Sequence, residues 1–251
     1  MSDITFARTR YDYKTYSDYY KLVELSGFPV CYVDEINAQD ASQCYIFSPK
    51  NGEIGEWHDA KAKIIHWNLE RDPYPPTIGV AETWCSDATL ARKCNARYVV
   101  MGSHPRLCVS NSEAPVLPEY DFAMLSYMTN RRSLVRDRLL QRGLTFAPNA
   151  WDMERHKILK RSRTMLHVHQ DQDKWYLAPQ RWCIAAAYHL PLITEALEDP
   201  GAFGKDVMVS RMFSDLCYLN GEVTRLQAYG DALYQFLCVE RTFRKCVESA
   251  V

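Results

Sequence analysis

The sequence predicts an α/β protein made of two successive units, each a parallel sheet with helical crossovers. Three observations carry this expectation. Short apolar runs rich in β-branched and aromatic residues alternate with segments of helical period, the pattern of strands joined by crossover helices. The stretch RLCVSNSEAPVLPE, residues 106–119, is polar, holds two prolines and divides the alternation in two. From residue 206 onward the pattern is helical to the end. The expected boundaries are 1–110 for the first unit, 118–205 for the second and 206–251 for the C-terminal helices.

In the first unit, DYYKLVELSGF (18–28) places Tyr19, Leu22, Val23 and Leu25 at helical spacing, with Gly27 as the stop. PVCYVDEI (29–36) reads as a strand ending in Asp34 and Glu35. QCYIFSP (43–49) is a second strand, closed by a turn at Pro49, Asn51 and Gly52. AKIIHWNLE (62–70) is a buried strand that runs into Glu70 and Arg71. The following DPYPPTIG (72–79) is a loop, because its three prolines remove donors and fix φ. TWCSDATLARKCNA (83–96) starts as a strand, after which Ser86 or Asp87 caps a short helix. RYVVMGSHP (97–105) is a strand ending in Gly102, followed by Ser103 and His104.

In the second unit, YDFAMLSY (120–127) is a strand. TNRRSLVRDRLLQRG (129–143) is an amphipathic helix with Leu134, Val135, Leu139 and Leu140 on one face, five arginines elsewhere and Gly143 as its C-cap. LTFAPNA (144–150) is a strand and turn, DMERHKILKRSR (152–163) a basic helix capped by Asp152, and TMLHVHQ (164–170) a strand. PQRWCIAAAYHLPLITE (179–195) is an alanine-rich helix followed by a strand at 192–194.

Apolar residues make up 47% of the chain and charged residues 24%, a balance that excludes wholesale disorder and supplies a core for 251 residues. The net charge of -1 calls for neither a nucleic-acid nor a membrane partner, although a local basic patch is compatible with it. Nine cysteines, with no C-x-x-C pair, argue against a disulfide framework or a zinc knuckle and read as buried free thiols in a reducing compartment. The stretch MSDITFARTRYDYK has no apolar core of a signal peptide, and no run approaches the roughly 20 residues that cross a bilayer. A cytoplasmic protein is expected, with no membrane partner.

Several constellations carry chemistry. Asp34, Glu35, Glu70 and Asp87 lie at strand ends, where open α/β sheets bind ligands and where a carboxylate takes a proton from an acceptor hydroxyl. The competing reading for each is a helix cap or a surface charge. Glu70 stands out, between a buried strand and a rigid proline loop. Asn130-Arg131-Arg132 opens a helix directly after a strand, an arrangement that suits a diphosphate; the competing reading is a solvated basic face. His167 and His169 share one side of a strand, but no third ligand stands at motif spacing, so His169-Gln170 reads as a substrate-binding strand end and no metal is expected. No G-x-G-x-x-G, P-loop, G-x-S-x-G, H-E-x-x-H or kinase motif occurs.

Taken in order, residues 120–195 resemble the nucleotide-sugar lobe of B-type (GT-B) glycosyltransferases, with spore-maturation-like and phage-borne members most similar. YDFAMLSYMTNRR resembles their strand, small-residue turn and arginine-opened helix. RHKILKRSR has the form R-x-x-x-L-x-x-S-R, MLHVHQ is a strand ending in histidine, and PQRWCIAAAYHLPLITE combines P-x-R, a small-residue helix and a P-hydrophobic-E ending. Upstream, KIIHWNLERDPYP, ETWCSD and VVMGSHP look like acceptor-lobe strands.

The resemblance implies two Rossmann-like lobes across a cleft, braced by the helical C-terminus, and a glycosyltransferase using a nucleotide-sugar donor, a UDP-sugar in the first instance, without a metal. It assigns Asn130, Arg131, Arg132, His169, Gln170, Arg181 and Glu195 to the donor, Ser103 and His104 to the cleft, and Glu70 or Asp87 to the acceptor-side base. Phage-borne relatives make a hydroxymethylated pyrimidine in DNA the favoured acceptor, with the basic helices 131–142 and 155–163 touching phosphates and the base flipped out of the stack. A small molecule or a protein is the alternative acceptor. The host would be a bacterial or phage-infected cell. One position departs from the pattern: where many relatives hold the donor ribose with a glutamate, three positions after Arg181, this chain has Ile184. That departure keeps a non-catalytic nucleotide or nucleotide-sugar binding protein as the second class, with a plain scaffold as the third.

Overall fold

The computed structural model describes residues 3–10, 17–48, 57–69, 79–108, 117–150, 152–170, 178–195, 199, 201–203, 209–210 and 223–251. The chain divides into two compact units, one formed by Met1–Gly102, Ala178–Gln180 and Phe243–Val251, the other by Ser103–Leu177 and Arg181–Thr242.

The first unit is a six-stranded sheet of β1 (Asp3–Arg8), β2 (Val30–Tyr32), β3 (Gln43–Phe47), β4 (Lys63–Asn68), β5 (Glu82–Cys85) and β6 (Arg97–Tyr98). Every pairing is parallel, and the order is β2-β1-β3-β4-β5-β6. Helices α1 (Ser17–Leu25) and α2 (Ala88–Lys93) belong to it. A parallel sheet must bury both faces. One face is aromatic: Phe6, Tyr19, Phe28, Trp67 and Trp84 join Phe243 of α7 (Phe243–Ala250), whose ring stacks on Trp67 at 5.6 Å. The other holds Ala7, Tyr45, Phe47, Ala62 and Ile64.

The second unit has β7 (Tyr120–Ala123), β8 (Ser162–His167), β9 (Leu192–Thr194) and β10 (Val209–Ser210), all parallel, in the order β10-β9-β8-β7. A single parallel bridge between Phe122 and Phe146 adds one more segment beyond β7. The crossovers are α3 (Asn130–Leu140), α4 (Asp152–Lys160) and α5 (Pro179–Ala187). A later helix, α6 (Val223–Tyr234), runs into a π-helical turn at Gln235–Glu240. Phe122, Met124, Val135, Leu139, Leu166, Val168 and Ile193 form the core beneath α3. No helix among the described residues is long and apolar enough to cross a membrane.

Several expectations are corrected. DITFAR, to which the sequence reading gave no secondary structure, is β1, in the interior of its sheet, with Phe6 and Ala7 both buried. A strand buried on both faces has no polar alternation, and its charged ends mask it. Residues 29–36 are not one strand. β2 ends at Tyr32 and a 3-10 turn holds Asp34 and Glu35. The strand read over 97–105 pairs only at Arg97–Tyr98. The helical reading after residue 206 fails at Val209–Ser210, which pair with β9. On α3, Leu134 and Leu140 are 53% and 46% exposed, while Arg132, Val135 and Leu139 are buried. Spacing of three and four selects 132, 135 and 139 as one stripe, and Leu134 lies about 100° round from Val135.

Candidate functional site

Chain order places the site of the second unit. From β7 the chain passes to the Phe146 segment on one side of that strand and then to β8 on the other. The carboxyl ends of β7 and β8 are therefore a topological switch point, the place where open α/β sheets bind ligands. α3 begins there. Thr129 caps it, with Oγ1 accepting from the Arg132 amide at 3.4 Å, and Asn130 is exposed in its first turn.

The strand ends are tied together by charge. Arg131 grips Glu195 with both amino groups: Nη1 donates to Oε2 at 2.7 Å and Nη2 to Oε1. Nη1 also donates to the His169 carbonyl at 3.0 Å, and the His169 amide donates to Glu195 at 2.6 Å. One carboxylate thus joins the start of α3 to the ends of β8 and β9. Arg132 is buried; its Nε donates to the Val168 carbonyl at 3.0 Å and its Nη1 to the Tyr127 carbonyl at 2.9 Å. Arg181 of α5 contacts His167 through Nη1 and Nδ1. A guanidinium has no lone pair to offer, so His167 Nδ1 is the acceptor in this contact. The His167 and His169 rings meet edge to face at 5.2 Å, both buried.

Two further side chains belong here that the sequence reading missed. The hydroxyls of Ser126, in the loop after β7, and Thr194, the last residue of β9, are buried and have no hydrogen-bond partner among the described residues. A buried hydroxyl without a partner is normally satisfied by water or a ligand. Their signal in the sequence was only position, since each follows an apolar strand. Among the described residues, the Arg131 and Arg181 guanidiniums accompany the single carboxylate of Glu195, while Arg132 is taken up by the Val168 and Tyr127 carbonyls, and such a positive balance suits an anion such as a diphosphate. Gln170 is exposed just beyond His169. Ile184 is buried within α5. Among the described residues, no three His, Cys, Asp or Glu side chains gather as a metal-ligand set.

Most of the remaining sequence candidates are engaged by residues near them in the fold. Asp87 caps α2, its Oδ1 accepting from the Leu90 amide at 2.8 Å. Asp34 is paired with Arg10 at 3.0 Å, and Glu35 accepts from the Tyr32 amide at 2.8 Å. Ser103 is buried and donates to the Cys183 carbonyl at 2.8 Å. His104 Nδ1 accepts from the Arg106 amide at 3.1 Å. Glu70 lies outside the described residues. Much of the basic charge on and beside α3 and α4 is compensated locally: Arg136 pairs with Asp137, Lys157 with Glu154, Arg161 with Glu119 and Arg163 with Asp121, and Arg155 is buried.

No family profile matches the chain, and no curated protein is similar to it in sequence. Solved structures are similar in fold. The DNA-modifying enzyme β-glucosyltransferase, determined with and without its substrate uridine diphosphoglucose, aligns at TM-score 0.57 and 11% identity over 98% of this chain and 97% of that one. TarM aligns at TM-score 0.51 and 6% identity over 84% of this chain and 54% of that one, so the chain spans about half of TarM. An α1,3-fucosyltransferase aligns at TM-score 0.48 and 14% identity over 92% of this chain and 80% of that one. The fold is accordingly GT-B-like: two Rossmann-like units with a helical C-terminus.

Proposed function

We propose that the chain is a glycosyltransferase that moves a sugar from a nucleotide-sugar, in the first instance a UDP-sugar, to a hydroxyl acceptor. The observation that carries this reading is the arginine-rich switch point between β7 and β8, in a fold that matches β-glucosyltransferase over nearly its whole length. The diphosphate lies at the N-terminus of α3, where backbone amides and the helix dipole favour negative charge. Arg131, held in place by Glu195, supplies a guanidinium there, and the Ser126 and Thr194 hydroxyls supply donors. In the transfer, the bond between sugar carbon and diphosphate oxygen breaks, and the acceptor oxygen forms the new bond to that carbon. The acceptor proton passes to a carboxylate, for which Glu70 is the candidate. Stabilising the leaving diphosphate by fixed charges is the main lever such a site has.

The favoured acceptor is a hydroxymethylated pyrimidine in DNA, supported by the DNA-modifying activity named for β-glucosyltransferase. Mass spectrometry of hydroxymethylpyrimidine DNA incubated with the protein and mixed nucleotide-sugars tests it. A mass increment of one sugar is expected. If sugar appears instead on a small molecule or protein in parallel incubations, the acceptor is wrong and the activity stands. A second reading, a nucleotide-sugar binding protein without turnover, is favoured by Ile184, a buried apolar residue where relatives place a ribose-binding glutamate. Donor binding with no transfer and no donor hydrolysis would select it.

A further inference from the structure

Residues 130–142 hold five arginines and one acid, Asp137. Arg131 is bound to Glu195, Arg132 is buried on two carbonyls, and Arg136 takes up Asp137 at 2.8 Å. Arg138 and Arg142 are left over. Both are exposed, and neither has a hydrogen-bond or ion-pair partner among the described residues. At the start of β8, by contrast, Arg161 and Arg163 are paired with Glu119 and Asp121. Arg138 and Arg142 are four residues apart and share a ridge of α3 with Leu134, which is 53% exposed. The backbone beneath them is fixed, since the Arg142 amide donates to the Leu139 carbonyl at 3.0 Å and Gly143, with φ of 80°, closes the helix. Like charges one turn apart repel and weaken a helix, an effect that the helix dipole offsets in part at the C-terminal end.

We infer that Arg138 and Arg142 hold backbone phosphates of a DNA acceptor, which the protein takes as a polymer and not as a free nucleoside. This deepens the acceptor reading and rests on it. A chain of net charge -1 exerts no general attraction on a polyanion, so binding falls to local cations that no acid neutralises. A guanidinium fork fits phosphate oxygens, and the exposed Leu134 on the same ridge offers an apolar contact to the sugars between them. Arg138 is eight positions beyond Asn130, about 12 Å along the helix axis, and Arg142 lies farther on. Each strand of a duplex passes one phosphate in about 3.4 Å of its axis. A base reacting near the start of α3 and a phosphate on Arg138 thus belong to nucleotides several steps apart, which a single nucleotide cannot supply. Contacts of this kind carry no sequence information, so unmodified DNA binds with the same dependence on the two arginines.

The test is a fluorescence-anisotropy titration of the full chain with labelled hydroxymethylpyrimidine duplex DNA over a series of salt concentrations, with calorimetric titration of UDP alongside. The proteins are the unaltered chain, Arg138→Ala, Arg142→Ala, the double alanine variant and Lys61→Ala, which removes an exposed charge just before β4. The exposed positions keep the variants folded, which melting curves check. The double variant is expected to lose about tenfold or more in DNA affinity at about 0.1 M salt, and its slope of log affinity against log salt should shrink by about two, roughly one for each lost phosphate contact. Lys61→Ala should keep the parent slope, and UDP affinity should be the same in all five proteins. An unchanged slope in the double variant overturns the inference and leaves the two arginines as partners of the helix dipole. A loss in Lys61→Ala equal to that in Arg138→Ala also overturns it, because net charge and not position would then be acting. If the unaltered protein binds UDP but no DNA, the inference falls and the donor reading stands. If DNA binding depends on both arginines but UDP does not bind, the phosphate contacts stand and the transferase reading fails.

Discussion

Arg132 shows how burial changes what an arginine does. Its place after a strand and at a helix start suggested a phosphate ligand, but its Nε and Nη1 donate to the carbonyls of Val168 and Tyr127. Hydrogen bonds from a charged donor contribute about 1.5–3 kcal/mol each, and both carbonyls lose their partner together if it is removed. Arg132→Ala should therefore cost about 3 kcal/mol in urea unfolding and loosen the loop that carries Tyr127. Unfolding midpoints unchanged from the parent would show that the guanidinium is dispensable for the fold. In the first unit His66 offers a pH-dependent counterpart. It is buried beside Phe47, with ring centroids 5.5 Å apart, and burial pushes its pKa down to about 4. The unfolded chain protonates this histidine near pH 6.5 and the folded one only near 4, so the unfolded state binds more protons in between. Stability contributed by neutral His66 is thus present above pH 6.5 and falls away toward pH 4, by an amount on the order of 3 kcal/mol. His66→Phe keeps the stacked shape and removes the proton site. It should flatten the decline of the unfolding free energy across that window, and an unchanged slope would assign the decline to other groups.

Helix α6 is placed by a backbone contact that no hydrophobic pattern signals. After α5 the chain turns at His189, whose φ is 53°, and Gly230 of α6 packs on that turn. A Cβ at position 230 would lie 2.1 Å from the His189 carbonyl oxygen, which is backbone and cannot swing aside. Gln227 donates to the same carbonyl at 3.3 Å, and the His189 ring stacks on Tyr234 at 3.8 Å. Gly230→Ala gains helix propensity but forces the helix off the turn, so a net loss of about 2 kcal/mol or more is expected. Higher thermal stability in this variant would mean that α6 has room to shift. The same contrast explains what was legible at this scale. α1, α2 and α3 announce themselves by apolar spacing, a glycine stop and the Asp87 cap, and all three are present. Which stripe of α3 is buried was misread, because Leu134 and Leu140 are as apolar as Val135 and Leu139, and only the packed sheet distinguishes them.

At the scale of the molecule, the sequence shows that strands and helices alternate but not how the strands are ordered. β1 was missed because both of its faces are buried, and without it the order β2-β1-β3 and its switch point are invisible. In the second unit Arg131, His169 and Glu195 could be placed from sequence at a helix start and at strand ends, whereas the ion pair of Arg131 with Glu195 joins residues 64 apart in sequence and depends on β8 lying between β7 and β9. The proposed catalytic base rests on the sequence alone, and its test is kinetic. Asp87 already has work: its carboxylate accepts from the Leu90 amide and caps α2. Asparagine caps a helix about as well as aspartate, while alanine does not and costs about 1 kcal/mol. Asp87→Ala should therefore lower the melting temperature, and Asp87→Asn should leave both melting and turnover near the parent. Glu70 follows β4 in sequence and precedes the prolines of 72–79. Glu70→Gln keeps the side-chain shape and removes the proposed proton acceptor, so kcat should fall by about a hundredfold while nucleotide affinity, read by titration with UDP, stays within about twofold. Were Asp87→Asn to abolish turnover while Glu70→Gln retained it, the base would be Asp87 and its cap incidental. If neither substitution lowered kcat, proton transfer would have to be assigned to another carboxylate, and Asp34, now paired with Arg10, would need to leave that pair to act.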